Sequence, residues 1–156
     1  MLTVKRTFDY ELVRQILVHP KIYPWISDDC SLPAEECAPV ASDRIYYIYA
    51  RNGHPVGLFI FMPQNGICYD LHVCVLPEAW GRESVPAGKL AIQWMFEHTL
   101  ARRITGSVAD YNRLACRYAE KLEMEEFGVN RKSYLHDGVL YDQHLFGISK
   151  GDAWAR

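Results

Sequence analysis

The run CYDLHVCV, residues 68–75, sets an acid, an imidazole and a thiol at every second position. In an extended strand alternate side chains share a face, so Asp70, His72 and Cys74 point one way and Tyr69, Leu71, Val73 and Val75 the other. His72 is the first candidate for a general base, because an ordinary imidazole titrates close to neutrality, and Asp70 is the second. The alternative for both is a polar pair satisfied by neighbouring strands. Cys74 with His72 or His54 as its base would make a thiol hydrolase. Two residues of one strand face lack a third orienting group, however, and no nucleophile motif surrounds the cysteine, which reads as core.

The residues that follow suggest a second chemistry. HVCVLPEAWGRESVPAGKLAIQW reads as strand, short loop and helix. That layout aims unpaired helix N–H groups and a positive dipole end at one spot, suited to a pyrophosphate. Gly81 lets the backbone approach a phosphate, Arg82 can add a charge-assisted bond, and Ser84 can add a hydroxyl.

These residues need a scaffold, and the punctuation of the chain supplies one. Residues 2–6 alternate as a short strand, and Asp9 can cap a helix over 10–19 that Pro20 stops. Residues 20–42 are rich in Pro, Asp, Glu and Ser and hold at most a helical turn, which makes them the expected substrate-facing segment. Ile45 to Arg51, Pro55 to Met62 and Ile67 to Leu76 form a meander through Asn52-Gly53 and Gln64-Asn65-Gly66. A helix from Ser84, its expected N-cap, to Arg102 turns Ala87, Ala91, Trp94 and Met95 inward. Arg103 to Val108 is a strand, and Asn112 to Leu122 a helix with Leu114, Ala115, Tyr118, Ala119 and Leu122 on one stripe. Asn130 to Leu135 and Val139 to Ile148 close the chain as a hairpin around Asp137-Gly138. The fold class is therefore α+β, with a mostly antiparallel mixed sheet flanked by helices.

Composition narrows the setting. The 156 residues, 49% hydrophobic and 13% aromatic, fit one domain with a substantial core. With 17 basic and 19 acidic residues the formal charge is -2, so nothing draws the chain to nucleic acid or to anionic membrane. No apolar run approaches the roughly 20 residues a membrane helix needs. Five cysteines without a CxxC pair fit reduced thiols, and Cys30 and Cys37 have no nearby histidine pair, so no metal is expected. The chain reads as cytoplasmic. Tyr46, Tyr47, Tyr49, Phe59 and Phe61 read as packing of a sheet face rather than as a pocket.

The order of elements and the loop before Ser84 resemble the GNAT superfamily of N-acyltransferases. The sharpest part lies late: Asn112, Ala115, Arg117, Glu120-Lys121-Leu122, Gly128, Arg131, Asp137-Gly138, Asp142 and Trp154. This pattern is similar to the branch of ribosomal-protein and diamino-acid acetyltransferases, whose ends run N..[SA].R..EKLGF..EG..R, then a turn, an Asp and a terminal EW. Here that ending reads Asp152-Ala153-Trp154. The resemblance implies a GNAT-like acyl-CoA N-acyltransferase fold and acetyl-CoA as co-substrate. The stretch Val73, Cys74, Val75 would meet the pantetheine arm, Val73 and Val75 through backbone groups. Trp80, Gly81, Arg82, Glu83, Ser84 and Val85 would cradle the pyrophosphate, and Asn112 would contact the pantetheine or order the site. Arg117 would either reach the phosphates or face water, and Trp80 would either stack near the adenine or plug the sheet edge. Relatives place an acidic base on the strand that carries His72 and Asp70, and many of them dimerise, so a homodimer is open.

The sequence also departs from that pattern. The family loop reads [QR]-G-x-G-x-[GA], whereas Trp80, Glu83 and Val85 replace three of its residues and Glu83 brings a negative charge to a phosphate site. Glu123 stands where the KLG glycine would end a helix in the left-handed region. The tyrosine many relatives use as general acid falls at Ala119. Two readings follow: direct acetyl transfer from acetyl-CoA to an amine acceptor, or a catalytically inactive GNAT-fold binding or structural module.

Overall fold

Alternation and turn chemistry produce the sheet of the computed structural model, which describes residues 1–152, 154 and 155. Ala153, part of the terminal resemblance, lies outside the described residues. The strands are β1 (Thr3–Arg6), β2 (Tyr46–Arg51), β3 (Pro55–Pro63), β4 (Cys68–Val75), β5 (Arg103–Ala109), β6 (Glu125–His136) and β7 (Val139–Ser149). The helices are α1 (Tyr10–Leu17), α2 (Tyr23–Ile26), α3 (Ser84–His98) and α4 (Arg113–Lys121). The sheet order is β1-β2-β3-β4-β5-β7-β6, and among the described residues only β4 and β5 run parallel.

Each face of the sheet has its own core. Ala87, Ala91, Ile92, Met95 and Phe96 of α3 pack on Ile48, Phe59, Phe61, Ile104 and Ile148. On the opposite face Val13, Ile16 and Leu17 of α1 cover Tyr47, Tyr49, Leu58, Ile60 and Cys74. The strand aromatics pack as expected but on both faces rather than one, with Phe59, Phe61 and Tyr46 at the first core and Tyr47 and Tyr49 in the second. Gly88 lets α4 approach α3, because a Cβ there would collide with the Tyr118 hydroxyl.

Local details differ from the sequence reading, and residues 20–42, expected to hold at most one helical turn, carry two, α2 and a 3-10 turn at Ala34–Glu36. Ser84 is the first helical residue rather than the cap; Glu83 occupies the cap position with its side chain bonded elsewhere. α3 stops at His98, since the Thr99 hydroxyl donates to the Met95 carbonyl (2.5 Å) and the Arg102 and Arg103 amides must turn to reach the Ile67 carbonyl. Leu114 is exposed, because it lies about 200° around the helix from the buried Cys116. β6 begins at Glu125, five residues before the expected Asn130, along an edge where EEFGV shows no alternation.

Candidate active site

The parallel pair β4–β5 holds together for only three steps: Cys68 beside Arg103, Tyr69 beside Ile104 and Asp70 beside Thr105. Beyond them the strands part. Bonds from Gln64 N–H to the Cys68 carbonyl and from Leu76 N–H to the Val56 carbonyl, both 2.9 Å, assign the even-numbered residues of β4 to the β3 ladder. Bonds from Asp110 N–H to the Asp142 carbonyl and from Lys150 N–H to the Arg102 carbonyl, also 2.9 Å, likewise assign the even-numbered residues of β5 to β7. The backbone groups of Leu71, Val73 and Val75 therefore face those of Ser107 and Ala109 across the gap. Two of them are capped locally: the Trp80 indole N–H donates to the Val75 carbonyl (2.8 Å) and Asn112 N–H to the Ala109 carbonyl (2.9 Å). The register gives the Val73 N–H and carbonyl and the Val75 N–H no ladder partner among the described residues. Buried backbone groups rarely stay unpaired, so this gap is suited to a ligand with amides of its own.

A cavity of about 330 Å³ passes through the gap. On the α3–α4 side it is walled by Val73, Gly106, Ala115, Tyr118, Ala119 and Phe146, and on the α1–α2 side by Asp70, His72, Trp25, Ile26, Tyr111 and Tyr134. A more open depression of about 390 Å³ near Ser42, Arg44 and Met62 has no strand gap and no paired acid and base.

β4 carries the proton chemistry. Nε2 of His72 lies 3.3 Å from Oδ2 of Asp70, and Oδ1 of Asp70 accepts from the Thr105 hydroxyl at 3.3 Å. Gln64 in turn donates to that hydroxyl at 3.1 Å. The imidazole is half exposed and the carboxylate mostly covered. That contact is a charge pair rather than a hydrogen bond, so it sets a carboxylate beside the ring without fixing which ring nitrogen carries the proton. Cys74 does not join them: it packs in the α1 core, 1% exposed, and its backbone groups belong to the β3 ladder. Burial pushes its thiol up to about 12, which removes the thiolate a nucleophile needs.

The loop from Pro77 makes one 3-10 turn, and Gly81 then takes φ +79° before α3 begins. The amides of Ser84 and Val85 are the free donors of the first helical turn, since Pro86 has no N–H. Arg82 is exposed beside them. The Glu83 carboxylate does not lie over the helix end. It accepts from Nδ2 of Asn52 at 2.8 Å and pairs with Nε2 of His54 at 3.0 Å, both on the turn between β2 and β3. Those two bonds, Asn52 first, hold the Glu83 carboxyl below the usual carboxylate range. Trp80 closes the end of β4 through its bond to Val75.

α4 contributes shape more than charge. Asn112 caps it, its Oδ1 accepting from Ala115 N–H at 3.2 Å, and also borders the cavity. The Tyr118 hydroxyl donates to the Ser84 carbonyl (2.5 Å), tying α4 to the first turn of α3, and burial raises its pKa. Arg117 is exposed and does not border the cavity.

The sequence reading does not single out Trp25, Ile26, Tyr111 or Tyr134; the Pro24-Trp25 step inside residues 20–42 was the available signal. Long-range bonds create this wall. The Asp137 and Gly138 amides each donate to a carboxylate oxygen of Asp29 at 2.8 Å, lowering its pKa, and the Tyr134 hydroxyl donates to the Ser27 carbonyl at 2.8 Å. Tyr111 then packs on His136 and Tyr141, with ring centroids 4.9 and 4.7 Å away. Among the described residues Asp29, His136 and Asp137 also form a group with metal-ligand atoms close together, although both Asp29 oxygens already accept backbone bonds.

No family model matches the sequence, and no curated protein matches it. Solved structures do. Spermidine N-acetyltransferase from Vibrio cholerae, in complex with CoA and spermine, superposes with a TM-score of 0.78 at 15% identity, covering 95% of each chain. Ribosomal-protein-S5-alanine acetyltransferase from Vibrio fischeri gives 0.75 at 14% identity, over 97% of this chain and 94% of that one. A GNAT-family acetyltransferase from Bacillus anthracis gives 0.74 at 16% identity, over 95% and 94%. At such identities the likeness is one of fold.

Proposed function

We propose that this chain, which has the GNAT acyl-CoA N-acyltransferase fold, moves an acetyl group from acetyl-CoA directly to an amine. The observation that carries the reading is the gap between β4 and β5, where the unpaired backbone groups of Val73 and Val75 lie beside the Asp70–His72 pair. A pantetheine arm has amides that would bond those groups as an added strand does. Its diphosphate would meet the Ser84 and Val85 amides and the Gly81 backbone, with Arg82 beside it. Asn112 would steady the near end of α4, and Arg117 has no direct part.

In the reaction, a ring nitrogen of His72 takes a proton from the ammonium or from the attacking amine, and the Asp70 carboxylate beside the ring favours the imidazolium that forms. The amine nitrogen bonds to the thioester carbon while the carbonyl oxygen gains charge, which the Val73 N–H can stabilise. The C–S bond then breaks, giving an N-acetyl amine and CoA thiolate, which water protonates. Ala119 supplies no acid, and the Tyr118 hydroxyl is already given to Ser84. The aromatic faces of Trp25 and Tyr111 suit an acceptor that arrives as a cation. The polyamine in the Vibrio cholerae neighbour is one such amine to try first.

The test is thiol release from acetyl-CoA with a panel of amines, with the acetylated product identified by mass. His72→Ala should lower turnover by about a hundredfold or more while CoA affinity is unchanged; equal turnover removes His72 from the mechanism. A second reading, an inactive module, is favoured by the Trp80, Glu83 and Val85 departures in the loop. CoA binding without thiol release for any amine would support it.

A further inference from the structure

Glu83 presents a physical problem that its neighbours solve. A free carboxylate beside a helix N-terminus is drawn to the amides there, and it would compete with a phosphate for them. The competition is sharper here because Pro86 leaves only Ser84 and Val85 as first-turn donors. Yet the carboxylate is held away, 2.8 Å from Nδ2 of Asn52 and 3.0 Å from Nε2 of His54.

Both partners come from one turn. Gly53 takes φ +71°, and Asn52 N–H donates to the His54 carbonyl at 3.0 Å, which brings the two side chains to the same carboxylate. The turn joins β2 to β3, and β3 lies on the side of β4 opposite to β5. The pull on Glu83 is therefore away from the gap.

We infer that Asn52 and His54 are positioning residues for the cofactor: by clasping Glu83 they keep its charge off the start of α3 and leave that end open to a diphosphate. The inference rests on the acyl-CoA reading above. A glutamate is ionised at neutral pH with or without these bonds, so releasing it frees a full negative charge. One such charge about 6 Å from a diphosphate, in water-like surroundings, weakens binding by about tenfold.

The experiment measures CoA affinity by calorimetry for the parent, for the pair Asn52→Ala and His54→Ala, and for that pair combined with Glu83→Gln. The pair should raise Kd by about tenfold, and adding Glu83→Gln should return it to within about twofold of the parent. Glu83→Gln keeps the side chain's size, so a loss that persists in the triple variant comes from damage to the turn and overturns the inference. So does parent-like affinity in the pair. If the parent itself fails to bind CoA, the acyl-CoA reading falls and this inference falls with it; binding by the parent and the pair alike defeats the inference alone.

Discussion

Replacing Gly106 by valine should separate folding from cofactor binding. Gly106 lies on β5 where the gap opens, and a Cβ there would meet the Leu71 carbonyl oxygen at 3.6 Å, an ordinary contact needing no backbone shift. Glycine inside a strand gives up about 0.5–1 kcal/mol of stability, and valine is favoured there. The variant should therefore unfold at the same urea concentration as the parent or a higher one. Its methyl groups, however, enter the space between β4 and β5 beside the unpaired groups of Val73. A pantetheine arm pushed out of that space would lose two or three neutral hydrogen bonds of about 1 kcal/mol each. A loss of about 3 kcal/mol is roughly a hundredfold in Kd. Urea unfolding and calorimetry with CoA read the two quantities on one preparation. CoA affinity equal to the parent's would refute a path for the arm between these strands. Marked destabilisation would refute the contact geometry around Leu71.

Three further outcomes follow from other parts of the structure. Glu123 sits at φ +61°, a conformation that costs a non-glycine residue about 1 kcal/mol, so Glu123→Gly should move the urea midpoint upward; a lower midpoint would mean that its 3.2 Å pair with Lys89 outweighs the strain. His144 donates to Asp110 and faces Glu126, each at 2.7 Å, and Asp110 first, then Glu126, raise its pKa against the opposing effect of burial. A folded pKa above the unfolded value gives stability that is complete below about pH 6.5 and fades as pH rises through the folded value. His144→Gln should flatten that decline in urea midpoints taken from pH 6 to 9, and an unchanged profile would contradict it. Finally, iodoacetamide at pH 8 should modify the exposed Cys30 in the native protein and reach the buried Cys74 only after unfolding. Native labelling of Cys74 would reopen a nucleophilic role.

What the sequence makes legible is what local chemistry decides. Asp137-Gly138 reads as a hairpin turn and forms one, with φ of +50° and +76° and His136 opposite Val139. The helix end at Glu123 is legible from the family pattern even without its glycine. Met124 N–H donates to the Ala119 carbonyl and Glu123 N–H to the Glu120 carbonyl, the paired bonds of a left-handed cap. Alternation also assigns Asp70 and His72 to one face. What the sequence does not carry is long-range pairing. The gap depends on how β5, whose residues pair with β4 across 35 positions of sequence, is drawn away toward β7. The aromatic wall depends on Asp29 bonding residues 108 and 109 positions later. Glu83 reads from sequence as an intruding charge, and only the neighbouring β2–β3 turn shows where that charge goes.

The most direct measurement is a crystal structure of the protein grown with acetyl-CoA. The account predicts pantetheine amides bonded to the Val73 and Val75 backbone and a diphosphate at the Ser84 and Val85 amides. The thioester carbon should lie within reach of an amine placed beside the imidazole of His72. Acetyl-CoA bound elsewhere, or a Glu83 carboxylate lying on the first turn of α3 in its place, would contradict the account.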